Sequence, residues 1–81
     1  MMIIKTLFFG IAKDLIGASE LKIDVAENSS VKDLETILKN EFSTLENLNS
    51  YAIAVNENYA TNETLLKEND VVALIPPVSG G

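Results

Sequence analysis

The residues of this chain best suited to chemistry are its last six, Pro76-Pro77-Val78-Ser79-Gly80-Gly81. Glycine has no Cβ, so a Gly80-Gly81 end can thread a channel too narrow for any side chain. The reactive group it would present there is the carboxylate of Gly81. The apolar run Val71-Val72-Ala73-Leu74-Ile75 reads as a strand leading straight into this segment. Pro76 and Pro77 cannot continue a ladder of hydrogen bonds, so they end the strand and begin a stiff, extended stretch. Six extended residues span roughly 20 Å, enough to carry the carboxylate off a folded body and into another protein. The expectation is a domain over 1–75 and a flexible C-terminal Gly-Gly tail over 76–81. Idle fraying is the common fate of chain ends; the strand, the Pro-Pro base and the glycine pair together argue against it here.

The missing residue types restrict what else the chain can do. Its 81 residues include no cysteine and no histidine. That leaves no thiol nucleophile, no common general base near neutral pH, no disulfide and no usual zinc site. No bound metal and no directly bound cofactor are expected. All six basic residues are lysines and the net charge is −6, which opposes nucleic-acid binding and leaves no arginine fork for phosphate. Carboxylates are scattered, with no pair placed as an acid/base couple. Lys5 interrupts the first apolar residues, so no signal peptide is read, and no apolar run is long enough to span a membrane. The expected location is the cytoplasm.

The elements that must position the tail are short. Residues 2–9 are rich in β-branched and aromatic types and read as a strand. Residues 11–17 fit one or two helical turns ending at Gly17. Leu21-Lys22-Ile23-Asp24-Val25 alternates apolar and polar, the pattern of a half-buried strand antiparallel to the first. Ser30 and Asp33 stand at capping-box spacing before a helix whose apolar face is Val31, Leu34, Ile37, Leu38 and Phe42. Glu35 and Lys39 fit an i,i+4 pair on its outer side. Residues 43–50 read as irregular, 51–55 as a third strand, 56–58 as a turn, and Tyr59-Ala60 as a short returning strand. Residues 61–66 fit a helical turn anchored by Leu65 or Leu66. One amphipathic helix covering one face of a small mixed sheet gives a two-layer α+β domain.

One helix covers only one face of that sheet, so the other must meet a partner or be covered by a loop such as residues 43–50. Alternation along the first strand puts Ile4, Thr6 and Phe8 inward and Ile3, Leu7 and Phe9 outward. In the last strand, Val72 and Leu74 point inward and Val71, Ala73 and Ile75 outward. If the two strands are neighbours, Leu7, Phe9 and Ile75 form an apolar patch at the root of the tail, extended by Tyr59. A contiguous patch of this kind marks a partner surface.

With this order, size and ending, the chain resembles the small subunits of molybdopterin synthases, a family of ubiquitin-like β-grasp sulfur carriers. The likeness covers essentially the full length. It is carried by Leu7-Phe8-Phe9-Gly10 with Lys13-Asp14-Leu15-Ile16-Gly17, by Ala54-Val55-Asn56, and by Asp70 through Ile75 followed by Pro-Pro-Val-Ser-Gly-Gly. The resemblance implies that an ATP-dependent adenylating enzyme activates Gly81 and that a sulfur donor displaces AMP to leave a thiocarboxylate. It further implies that the tail then enters the large synthase subunit, where the sulfur attacks a cyclic pyranopterin precursor during molybdenum cofactor synthesis. Catalytic side chains would come from that partner, so the chain alone is not expected to be an enzyme. Carriers serving thiamin or cysteine synthesis share the fold and the Gly-Gly, as do ubiquitin-like modifiers, in which Gly81 would join a target lysine.

Overall fold

In a computed structural model of the chain, residues 1–48 and 50–77 are described. Five strands form one mixed sheet: β1 (Met2–Phe8), β2 (Glu20–Val25), β3 (Ala52–Val55), β4 (Asn58–Tyr59) and β5 (Val71–Ile75), in the order β2-β1-β5-β3-β4. β1 and β5 are parallel, and the other neighbours are antiparallel. A short helix α1 (Gly10–Ile16) follows β1, the main helix α2 (Val31–Glu41) follows β2, and a 3₁₀ segment (Ser43–Asn47) precedes β3. This is the two-layer α+β arrangement expected, with α2 on one face of the sheet.

The period-2 alternation in β1 and β5 sorts their side chains as the sequence requires. Ile4, Thr6, Phe8, Val72 and Leu74 are buried, and they meet Val31, Leu34 and Leu38 from α2 in one core. Burial of a side chain the size of Phe8 is worth about 1.5–3 kcal/mol, so this inward set accounts for much of the stability available to so short a chain. Thr6 is the polar member. Its hydroxyl is buried with no partner among the described residues, a local cost of the kind that unpaired buried groups carry.

Each junction has a local chemical cause. α1 ends at Gly17, which takes the left-handed conformation at φ 86° while its N–H donates to the Lys13 carbonyl, the glycine C-cap. Ser30 and Asp33 close the capping box. Ser30 Oγ accepts from the Asp33 N–H at 3.3 Å, and the Ser30 N–H donates to Asp33 Oδ2 at 2.9 Å. β3 and β4 join through Asn56 and Glu57, both at positive φ (50° and 72°), as a two-residue hairpin loop whose twist matches the strands demands. The 3₁₀ segment orders the stretch expected to be irregular: Leu45 is buried, and Thr44 Oγ1 donates to the Leu15 carbonyl at 2.8 Å.

Two local expectations are corrected. Residues 61–66 make one hydrogen-bonded turn, the Thr64 N–H donating to the Thr61 carbonyl at 3.1 Å, but no helix follows, because the Asn62 and Thr64 carbonyls are used elsewhere. The first turn of α2 has N–H groups with no partner inside the helix; that of Val31 donates to the Thr64 carbonyl at 2.9 Å, and that of Lys32 to the Asn62 carbonyl at 3.1 Å. The anchor is Leu66, which is buried, whereas Leu65 is exposed. Glu35 does not pair with Lys39 within 4.0 Å. It accepts instead from the hydroxyl of Tyr51 at 2.8 Å.

Ser30→Ala removes one half of the capping box and should lower stability by about 1 kcal/mol. For a chain of this size that is a fall in Tm of roughly 4–8 °C, to be read by thermal unfolding against the parent protein.

Candidate functional site

The outward side chains of β1, β5 and β3 assemble from the sheet register. Leu7 lies beside Ala73, Ala73 beside Ala54, and Ala54 beside Tyr59. The alanines leave a low floor, and Leu7, Phe9, Val71, Ile75 and Tyr59 stand around it. The result is an open, mainly apolar groove of about 630 Å³, with Asn56 and Glu57 at its polar end. Phe9 is 48% exposed and Tyr59 79% exposed. The structure therefore brings together all four residues assigned from sequence to this surface, Leu7, Phe9, Tyr59 and Ile75.

A second groove shares Tyr59 and Ile75 with the first and continues over Ser50, Tyr51, Ala52, Pro76 and Pro77. The apolar face thus runs without interruption to the point where the chain leaves the sheet. Pro76 is half-buried and Pro77 exposed. Gly10 explains how Pro76 fits. At φ +55° it occupies a conformation that side-chain-bearing residues rarely adopt, and a Cβ there would lie 3.2 Å from Pro76 Cγ. The base of the tail rests where a Cβ would make a tight contact, closer than side chains ordinarily accept. Val78, Ser79, Gly80 and Gly81, the expected reactive end, lie outside the described residues.

A profile of the ThiS family matches residues 6–81. The chain belongs to the ThiS family. The molybdopterin synthase sulfur carrier subunit of Arabidopsis thaliana is 34% identical over 79 residues, which are 96% of this chain and 82% of that protein. A putative molybdopterin converting factor subunit 1 from Pyrococcus furiosus superposes with a TM-score of 0.89 at 28% identity, covering 96% of this chain and all of its own. A chain from the complex of subunits 1 and 2 of the molybdopterin-converting factor of Helicobacter pylori 26695 superposes at 0.73 with 34% identity, covering 99% and 100%. These likenesses make the fold a ubiquitin-like β-grasp.

Two supports of this ThiS-family site were not legible in the sequence. Tyr51 flanks the tail exit and is held by Glu35. Burial first, and then the hydrogen bond and negative charge of Glu35, push its hydroxyl well above the ordinary value of 10.0. It therefore serves as a neutral donor that fixes one wall. Asn56 clamps the hairpin carrying Tyr59. Its Oδ1 accepts from the Val71 N–H at 3.0 Å, and its Nδ2 donates to Asp70 Oδ1 at 2.9 Å. Both partnerships cross about fifteen residues of chain, so no local spacing announces them. Among the described residues no group of three His, Cys, Asp or Glu side chains could hold a metal ion, and no helix is long and apolar enough to cross a membrane.

The two faces of β1 can be separated by substitution. Phe8→Lys places a charge in the core, where it has neither water nor a partner, and should abolish cooperative unfolding and near-UV signal. Phe9→Lys leaves its charge in water and should keep both. The reverse outcome would mean that the strand is inside out.

Proposed function

We propose that this ThiS-family chain is the sulfur carrier subunit of a molybdopterin synthase, delivering sulfur as a thiocarboxylate on Gly81. The observation that carries the reading is the unbroken path from the apolar groove of Leu7, Phe9, Tyr59 and Ile75 to the seated Pro76. Such a face docks a partner while the residues after Pro76 project into it. Relatives and neighbours named as sulfur carrier subunits and converting-factor subunits support the same role.

The chemistry follows from the carboxylate. It is a poor electrophile, so it must first attack ATP on an adenylating enzyme, releasing pyrophosphate and forming an acyl-adenylate. A sulfur donor then attacks the acyl carbon and AMP leaves, so that one oxygen has been exchanged for sulfur. The thiocarboxylate, like a thiolate, is an anionic nucleophile at neutral pH. In the active site of the large subunit its sulfur attacks an oxygen-bearing carbon of the cyclic pyranopterin precursor as that C–O bond breaks. Water then cleaves the resulting thioester, leaving the sulfur on the precursor and restoring the Gly81 carboxylate. Two rounds supply the two sulfurs of the dithiolene that binds molybdenum. Gly80 and Gly81 let the end pass a narrow channel, Val78 and Ser79 give it reach, and Pro76 and Pro77 stiffen its base. The carrier itself binds no cofactor, ATP being used by the adenylating enzyme. The chain lacks His and Cys, so acid/base groups for the transfer would come from the large subunit. The acidic composition and the lack of cysteine fit the cytoplasm.

Incubation with an adenylating enzyme, ATP and a sulfide source should raise the intact mass by about 16 Da, all of it on the C-terminal peptide. Deleting Gly81, or changing Gly80→Val, should abolish that gain with the melting temperature unchanged. A ladder of lysine conjugates in place of the mass shift would instead identify a protein modifier.

Docking is tested separately. Phe9→Lys or Ile75→Lys should weaken binding to the large subunit by about 3–5 kcal/mol, the cost of an uncompensated buried charge, as read by calorimetry. Unchanged affinity would place the docking surface elsewhere.

A further inference from the structure

β2 lies at one border of the sheet, with β1 on one side and, among the described residues, no strand on the other. Its hydrogen-bonding phase is fixed by two bonds: the Phe8 N–H donates to the Ser19 carbonyl, and the Lys5 N–H points the other way, to the Asp70 carbonyl. In the β1–β2 register this makes Thr6 with Leu21, Ile4 with Ile23 and Met2 with Val25 the hydrogen-bonded pairs. The backbone groups of Glu20, Lys22 and Asp24 therefore point outward along the free edge. An open edge of this kind is a template for another strand.

The side chains on this edge match a reversed copy of themselves. In an antiparallel pairing centred on Ile23, Lys22 of each copy lies opposite Asp24 of the other. Leu21 lies opposite Val25, and Ile23 meets Ile23. Lys22 and Asp24 are also the residues whose edge-pointing N–H and C=O groups must exchange bonds in this register, so the backbone phase and the charges agree. Shifting the centre to Lys22 or to Asp24 sets like charges opposite each other, which is destabilising. Centring on Leu21 overlaps less of the strand and draws Glu20 away from Lys5, its ion-pair partner at 3.9 Å. Centring between residues sets edge-pointing groups against groups already bonded to β1, and no ladder forms.

Lys22 and Asp24 lack these partners within one chain. Lys22 stands directly opposite Lys5, and neither Lys22 nor Asp24 has an ion pair within 4.0 Å among the described residues. Beside the edge, on the helix side, Leu21, Ile23, Ile37 and Phe42 are only partly buried around an open groove. Charges placed only to block an edge would be of one sign, repelling every symmetric register. The mixed pair here permits one.

We propose that the free edge of β2 pairs antiparallel about Ile23 with the β2 edge of a second copy of this chain, forming a two-fold dimer with a continuous sheet. The border used is the one opposite β4, with β1 between it and β5, so the apolar groove and the tail exit of each copy stay open. The proposal does not depend on the sulfur-carrier reading. The contact is shorter than a standard interface of about 1,600 Å², and the net charge of −6 opposes association. The dimer is therefore weak, with a Kd on the order of 10⁻⁴ M.

Sedimentation equilibrium of the full chain, from about 10 µM to about 1 mM, should show a monomer–dimer equilibrium. Amide exchange over the same range should slow at Lys22 and Asp24 as concentration rises. Lys22→Asp and Asp24→Lys should each weaken self-association at least about tenfold. A mixture of the two variants should dimerise, because each then supplies the charges the other lacks. Phe9→Lys should leave the dimer intact. A chain still monomeric at about 1 mM would overturn the proposal. So would a dimer indifferent to both charge reversals, or one abolished by Phe9→Lys, which would mean that association uses the apolar groove. The amide-exchange arm needs no variant, so it decides the matter even if a charge reversal fails to fold.

Discussion

Pairing β1 with β5 in parallel, Lys5 beside Val71 through Phe8 beside Leu74, brings the two ends of the chain together in the middle of the sheet. Parallel neighbours need a long crossover, and here nearly the whole domain lies between them. The pairing fixes which side chains meet on each face. Phe8 and Leu74 go down onto α2, and Leu7 and Ala73 go up into the groove. It also fixes where the chain leaves the body, beside Phe9 and Gly10. Core, docking face and tail exit are three consequences of one register. A slip of one residue would exchange the core set for the surface set.

The two faces of the sheet then divide the work. The inner face supplies stability in a chain with no cysteine to form a disulfide staple. The outer face is left apolar without a helix to cover it. A domain with so small a core tolerates an exposed groove because the groove is built from residues the fold needs anyway, the alternate positions of central strands. Supports such as Asn56 to Asp70 and Tyr51 to Glu35 lie at the groove's margins. They make the edges rigid while the alanine floor stays open.

The sequence carried those features that local chemistry decides. Alternation from Ile3 to Phe9 and from Val71 to Ile75 gave the correct faces, because a pleated strand leaves side chains no other choice. Ser30 with Asp33 gave the start of α2, because its orphan N–H groups need that oxygen. Features decided by distant partners were hidden. Residues 61–66 have the composition of a helical segment, but only one turn closes, because the Asn62 and Thr64 carbonyls are taken by Lys32 and Val31, some thirty residues earlier. Glu35 has Lys39 at helical spacing, but Tyr51 arrives from the next strand and takes the carboxylate. The role of Gly10 was half visible. A glycine after a strand suggests a turn, but only the folded chain shows Pro76 Cγ within 3.2 Å of where its Cβ would be.

That contact has a consequence for encounter. Proline fixes its own φ, and the close approach of Pro76 to Gly10 limits where the ring can lie against the body. Any segment continuing from it starts from a set bearing instead of a freely swinging joint. Part of the orientational entropy that a flexible tether surrenders on meeting its target has then already been lost during folding. A glycine at the foot of the first helix thus helps to set the direction in which the chain leaves the sheet.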